Sequence, residues 1–314
     1  MSQSSTQAWQ FSAAGQPLYL SDKELPAPGP GQILVANEAI GVNPVDWKFI
    51  DNNPINWCAG HTPGVDGAGI VRATGEGVDE TLVGQTVAYH HNLAENGSFA
   101  KHTILYPERV LRVPDGLSAV VAAALPCPLL TAWLAFSKIP TLEGASVLVT
   151  GMGAVNKLLV QILKTHGFNV HVLSGSLTAK QAKTLGVTKI FRNFPTQGNY
   201  FALFDANGPD VAKALMPLLQ SNGHVVSILG RIERPVDAPF TRTISYHEVA
   251  LGALHTYGDR YQWDRLVIDG EALLEKIVEA QIRIEAPAVF SFNALNDALK
   301  FSKTQKQKAV VVVN

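Results

Sequence analysis

Gly151-Met152-Gly153-Ala154-Val155-Asn156 is the stretch of this sequence whose residue types and spacing could do chemistry. It follows the apolar run Ser146–Thr150 without a spacer, and that run reads as a short buried strand. Val155, Leu158, Leu159, Ile162 and Leu163 then recur at the spacing of one helix face, with Gly167 placed to end the helix. Strand, glycine turn and helix together form the setting in which a G-x-G-x-x-G pattern binds a dinucleotide. Gly151 permits the tight turn, Gly153 lets the backbone approach a pyrophosphate, and free N–H groups at the helix start face the anion. Gly151, Met152, Gly153, Ala154 and Val155 are therefore candidate cofactor-binding residues. The third glycine of the pattern is replaced by Asn156.

The end of the next strand decides which dinucleotide. A site for NAD places an Asp or Glu about 20 residues past the glycines to accept the ribose hydroxyls. Here the sequence reads Leu173-Ser174-Gly175-Ser176, and no Asp or Glu occurs between Gly144 and Phe204. The same span carries Lys157, Lys164, Lys180, Lys183, Lys189 and Arg192. Hydroxyls and a lysine accept a 2′-phosphate that a carboxylate would repel. Ser174, Gly175, Ser176 and Lys180 are the candidates, and the expected cofactor is NADP(H). The other lysines read as solvated helix faces.

Other chemistries find little support. The one metal-like set is Cys58 and His61, at C-x-x-H spacing, with His90-His91; this is half a site. No metal ligands are assigned. Paired carboxylates, a Ser–His–Asp arrangement and a phosphate-binding Walker loop are all missing from the sequence pattern. The net charge of −1 gives no electrostatic case for nucleic acid or an anionic membrane. Two cysteines suit a reducing compartment, and MSQSSTQAW lacks the basic and apolar regions of a signal peptide, so a cytoplasmic protein is expected. The long apolar run Ala119–Phe136 is interrupted by Pro126 and Pro128, which predicts a buried helix pair rather than a membrane span.

The elements that must position these residues fall into two styles. Residues 1–115 read as β-rich, with strands at Gln32–Ile40, Ile70–Ala73, Leu82–Tyr89 and Phe99–Leu105 between Gly- and Pro-rich turns. After Pro126 strands alternate with helices. Strands are expected at Asn169–Leu173, Lys189–Phe191, Tyr200–Asp205 and His224–Leu229, and helices at Leu177–Leu185 and Asp210–Leu219, the latter stopped by Gly223. Such alternation means parallel βαβ units. His247–His255 reads as one more strand. In the tail Glu271–Ala280 and Asn293–Lys300 read as helices and Ala309–Val313 as a closing strand. The tail is expected to rejoin the first domain, giving a β-rich domain of residues 1–121 and 258–314 around a doubly wound parallel-sheet domain of residues 122–257.

The chain resembles the medium-chain dehydrogenase/reductase superfamily, in its zinc-independent quinone oxidoreductase-like branch. The resemblance rests on Gly41–Asp46, Pro63–Val71, Gly97–Ala100, Ala123–Pro126 leading to Leu130-Thr131-Ala132, the glycine turn, Phe204–Gly208 and Gly223–Val226, in that order. It implies a GroES-like domain followed by a Rossmann domain, hydride transfer from NADPH to a carbonyl or conjugated alkene such as a quinone or enone, and a homodimer. It also implies that Asn43 and Thr131 hold the nicotinamide ribose or carboxamide and that Asp46 shapes the same pocket. Asn43 and Asp46 are the candidate catalytic residues, although an Asp after Pro44-Val45 also suits a helix cap. Lys48 and Tyr89 are possible proton donors. Candidate cofactor-binding residues extend to Leu229 and Gly230. Zinc-dependent relatives carry a Cys where this chain has Asn43 and a His-Glu pair where it has Val65-Asp66. The sequence departs from the branch at Asn156, over Trp47–Gly60, between Phe191 and Phe204, and at Gln307-Lys308.

The reading is an NADPH-dependent, zinc-independent reductase of a small carbonyl, enone or quinone. The alternatives are a non-catalytic relative that keeps NADPH as a sensor or structural ligand, and a zinc alcohol dehydrogenase.

Overall fold

The computed structural model describes residues 5–313. Its contacts divide the chain into two compact units: residues 1–127, 252–281 and 285–314, and residues 128–251 with 282–284. These boundaries fall six residues from 121/122 and 257/258.

The first unit holds strands β1 (Ser5–Gln10), β2 (Tyr19–Glu24), β3 (Ile33–Val42), β4 (Asp66–Thr74), β5 (Thr86–His90), β6 (His102–Leu105) and β7 (Val110–Arg112). Helices α1 (Pro44–Asn52) and α2 (Ala119–Ala123) join them, and α3 (Pro126–Phe136) leads into the second unit. That unit contains β8 (Ser146–Thr150), α4 (Ala154–Thr165), β9 (Asn169–Leu173), α5 (Ala179–Leu185), β10 (Lys189–Phe191), β11 (Tyr200–Asp205), α6 (Pro209–Leu215), β12 (Leu219–Ser227) and β13 (Ser245–Glu248). The tail adds α7 (Leu254–Tyr257), α8 (Arg260–Val278), β14 (Ala288–Ser291), α9 (Leu295–Gln305) and β15 (Ala309–Val312).

In the first unit β15 pairs antiparallel with β3, so the closing strand rejoins the N-terminal sheet in the order β14-β15-β3-β4-β5-β7. Its core gathers Trp9, Phe11, Ile40, Trp57, Phe99, Leu295 and Val311. In the second unit six parallel strands run β10-β9-β8-β11-β12-β13. By chain order within the unit this is 3-2-1-4-5-6, the doubly wound arrangement whose order reverses between β8 and β11. Strands β8 and β11 are almost wholly buried, as strands covered on both faces must be.

The structure corrects four sequence expectations. The helix after Tyr200–Asp205 stops at Leu215, because Pro217 has no N–H to continue it. Gly223 then lies inside β12 rather than ending a helix. His247–His255 is not one strand: β13 ends at Glu248, and a single helical turn precedes α7. Helix α8 is far longer than Glu271–Ala280; its start is fixed by Asp259 and Gln262, which accept from and donate to each other's ends. Its buried residues Trp263, Leu266, Gly270, Leu273, Leu274 and Ile277 keep helical spacing through a half too polar to stand out in the sequence. Strands β1, β2, β7 and β14 were not anticipated.

Candidate active site

Gly151 directly follows β8, so the glycine turn sits at the carboxyl end of the strand where sheet order reverses. Open α/β sheets bind ligands at such a point. Gly151 has φ of +75°, a left-handed conformation in which a side chain would be strained. Gly153 is extended and precedes α4, and a Cβ added there would meet nothing within 4 Å. The first N–H groups of α4 have no partners within the helix, which leaves them for an anion above the turn. Met152 and Val155 are half-buried and Ala154 exposed.

Asn156 does not block this cradle. Its side chain turns back under it: Nδ2 donates to the carbonyl oxygens of Thr150 at 2.9 Å and Gly151 at 3.0 Å. On the neighbouring strand the Thr150 hydroxyl donates to Asp205, whose other oxygen accepts from the Gly208 N–H at 2.7 Å. Asn207 then lies against Gly151.

At the end of β9 the Ser174 hydroxyl accepts from Leu177 N–H at 3.2 Å, so Ser174 is a buried turn former. Gly175 and Ser176 are exposed at the tip of that turn. Lys180 is exposed in the first turn of α5. The turn is also held by a residue that the sequence marked only as one more cation. Arg192 donates to the carbonyl oxygens of Ser174 and Leu177, each at 2.5 Å, and so fixes a guanidinium against the turn at the end of β9. Leu229 and Gly230 follow β12 on the surface, and Thr131 is half-buried on α3.

In the first unit Asn43 precedes α1 and Asp46 stands in its first turn. Asp46 is fully buried; one oxygen accepts from Asn43 N–H at 2.7 Å and the other from Val65 N–H at 3.2 Å. These bonds give it a capping role in which it fixes the Asn43 backbone. Burial pushes its carboxyl up to about 7, against the Asn43 N–H and with the neighbouring Asp66 charge. Asn43 spends its side chain on two partners: Nδ2 donates to Asp66 at 2.7 Å, and Oδ1 accepts from Lys308 Nζ at 2.6 Å. Asp66, also fully buried, accepts from Cys127 N–H at 3.0 Å and from Lys308 at 3.4 Å. Its carboxyl is raised by burial, with Lys308 opposing. Lys308, at 13% exposure, is the least buried member of this group. Sequence reasoning noted Gln307-Lys308 only as a departure and assigned it no role.

The remaining candidates separate. Tyr89 is fully buried and donates to Asn37 at 2.7 Å, and burial holds its phenol above the ordinary range, which removes it as a proton donor. Lys48 is exposed beside Trp47. Trp57 is core and stacks on His61 at 4.5 Å, while Cys58 is exposed. His90 bonds His255 at 3.0 Å through facing ring nitrogens, and His91 contacts the Asn96 carbonyl. Burial depresses His90 to about 3 and His255 to about 2. Among the described residues no three His, Cys, Asp or Glu side chains converge as a metal-ligand set.

Comparison with known proteins bears on the fold. The alcohol dehydrogenase GroES-like domain matches residues 29–115. An alcohol dehydrogenase superfamily protein from Novosphingobium aromaticivorans has the same fold, with a TM-score of 0.85 over 98% of this chain and 100% of that one, at 24% identity. The quinone oxidoreductase from Coxiella burnetii follows with a TM-score of 0.82 over 99% and 100%, at 21% identity. Residues 29–115 thus match an alcohol dehydrogenase GroES-like domain, and the whole chain shares the fold of these alcohol dehydrogenase and quinone oxidoreductase structures.

Its relatives by sequence include a trans-enoyl reductase of Penicillium oxalicum, 29% identical over 62% of this chain, and a probable quinone oxidoreductase of Schizosaccharomyces pombe, 26% identical over 70%. The matches span 59% and 70% of those two proteins. No helix among the described residues is long and apolar enough to cross a membrane.

Proposed function

We propose that this protein is an NADPH-dependent reductase that transfers hydride to a small carbonyl, enone or quinone without zinc. The observation that carries the proposal is the Gly151–Ala154 turn at the reversal point of the parallel sheet, with serines and cations in place of a carboxylate at the end of β9. NADPH fits what is there. The open face of Gly153 leaves room for a pyrophosphate, and Ser176, Lys180 and Arg192 supply hydroxyl and cations for a 2′-phosphate. Lys180 would be the mobile cation and Arg192 the fixed one. Leu229, Gly230 and Thr131 remain assigned to the cofactor through the family resemblance.

The cofactor, when bound, supplies the hydride. The chain's own residues must orient the ring, stabilise charge on the substrate oxygen and deliver a proton. Asn43 is assigned to the nicotinamide ribose or the substrate oxygen. Its amide has one unspent N–H, because the other donates to Asp66 and Oδ1 accepts from Lys308. Asp46 positions it through the backbone. Zinc fits poorly: the Asn43–Asp66 pair is already bridged by the Lys308 ammonium, and Asn43 stands where zinc enzymes of the superfamily place a thiolate.

The acceptor class follows the relatives named quinone oxidoreductase and trans-enoyl reductase. A cytoplasmic homodimer belongs to the same proposal. The test is oxidation of NADPH over a panel of quinones, enones and aldehydes, with metal analysis of the same preparation. Turnover without stoichiometric zinc supports the proposal. Equimolar zinc favours an alcohol dehydrogenase, and tight NADPH binding without turnover favours a sensor.

A further inference from the structure

Position 156 lies in the first turn of a 12-residue helix, where the dinucleotide pattern has its third glycine. That glycine exists to let helix and strand approach closely. An asparagine must either push them apart or fill the gap usefully. Here it fills the gap. The side chain is 1% exposed, and both carbonyl oxygens at the β8 exit, those of Thr150 and Gly151, are tied to its amide nitrogen. The amide orientation is fixed by those two acceptors, since only Nδ2 can donate to them. Oδ1 is consequently left buried without a partner. An orphaned acceptor is costly, and a residue that keeps one asks for a reason other than stability.

We propose that Asn156 is a positioning residue that pre-forms the pyrophosphate-accepting turn, replacing close glycine packing with a side-chain tether. The tether spans the turn between its first residue and the third residue of α4. It fixes the peptide that carries the left-handed Gly151, and through it the direction of the N–H groups that follow. A turn tethered in this way is ordered before the anion arrives, and pre-ordering raises affinity by removing the cost of ordering. The inference rests on the dinucleotide reading given above and adds the residue that sets affinity at its phosphate end. Asn156 touches the turn and not the adenosine end of the site. Its removal should therefore be felt by ligands that carry a pyrophosphate and not by those that lack one.

The experiment compares two probes on the unaltered protein, Asn156→Ala and Asn156→Ser. One probe is 2′-phospho-ADP-ribose, which has the pyrophosphate. The other is adenosine 2′-monophosphate, which does not. Losing two hydrogen bonds should weaken the first probe by up to roughly thirtyfold in Asn156→Ala. The second probe should shift by less than about twofold. Serine can restore one donor and should fall between, so a poorly folding alanine variant still leaves the comparison in hand. Circular dichroism melts of the free proteins check that the fold is kept. Selective loss of the pyrophosphate probe supports the inference. Equal losses for both probes, or none for either, would overturn it while leaving the dinucleotide reading in place. Failure of the unaltered protein to bind either probe removes that reading, and this inference with it.

Discussion

Replacing Lys308 by Met tests the buried group beneath Asn43. Lys308 Nζ lies 3.4 Å from Asp66 and 2.6 Å from Asn43 Oδ1, with both acceptor residues almost fully buried. At an effective dielectric of about 20, unit charges at 3.4 Å attract by about 5 kcal/mol. Part of that is offset by the cost of burying the ammonium, so Lys308→Met should destabilise by about 3 kcal/mol, the low end for breaking a buried pair. Asp66→Asn should cost a similar amount because it leaves the ammonium unpaired. The double variant loses both charges together and should be less destabilised than the sum by about 2 kcal/mol. Urea unfolding of the four proteins at pH 7.5 gives the cycle. The pH dependence adds a sign. Asp46 and Asp66 have folded pKa values above their unfolded value of 3.8, and Lys308 holds both down. A group raised in the folded state loses stability as pH rises through its folded pKa. Lys308→Met should thus be least harmful near pH 5 and most harmful above pH 7. Additive costs within about 0.5 kcal/mol, or a pH-independent loss, would refute the coupling.

Other perturbations have equally definite outcomes. Lys180→Ala should weaken NADPH about tenfold, the loss of one charge-assisted hydrogen bond, and leave NADH within about twofold; equal effects would remove its phosphate role. Gly153→Val places a side chain in open space at an extended backbone position, so the free protein should melt unchanged while NADPH affinity drops at least about tenfold. His90 and His255 titrate far below the unfolded value of 6.5, so the unfolded chain takes up protons first as pH falls. Each imidazole thereby withdraws about 2 kcal/mol of stability between pH 6.5 and 4.5. Asp46 acts in the opposite direction over that window, so the comparison must be between proteins: His255→Gln should flatten the acid loss by about 2 kcal/mol in urea melts, and parallel pH profiles would count against the buried pair.

The second unit was the more legible in sequence because its grammar is local. Strand Ser146–Thr150 and the apolar face of α4 are written in consecutive residues, and both lie where periodicity places them. The reversal of strand order is a long-range property, but it follows once βαβ units are recognised. The first unit was harder. Strands β1, β2 and β14 are only four to six residues long, and β2 and β14 carry no fully buried residue, so alternation alone does not reveal them. The group around Asn43 was hardest of all. Asp66 and Lys308 are 242 residues apart, and nothing local says that they share one side-chain amide. Arg192 was hidden for the opposite reason: one cation among several, distinguished only by two carbonyl contacts. Asn156 was visible as an anomaly in the glycine pattern, yet only the geometry shows that it braces the turn instead of closing it.

The central claim is an NADP(H) site at the Gly151 turn, and fluorescence titration with NADPH and with NADH tests it most directly. The structure-based expectation is saturable NADPH binding at least about tenfold tighter than NADH, from the charge-assisted contacts that a 2′-phosphate adds. Preference for NADH, or no binding of either, would contradict it.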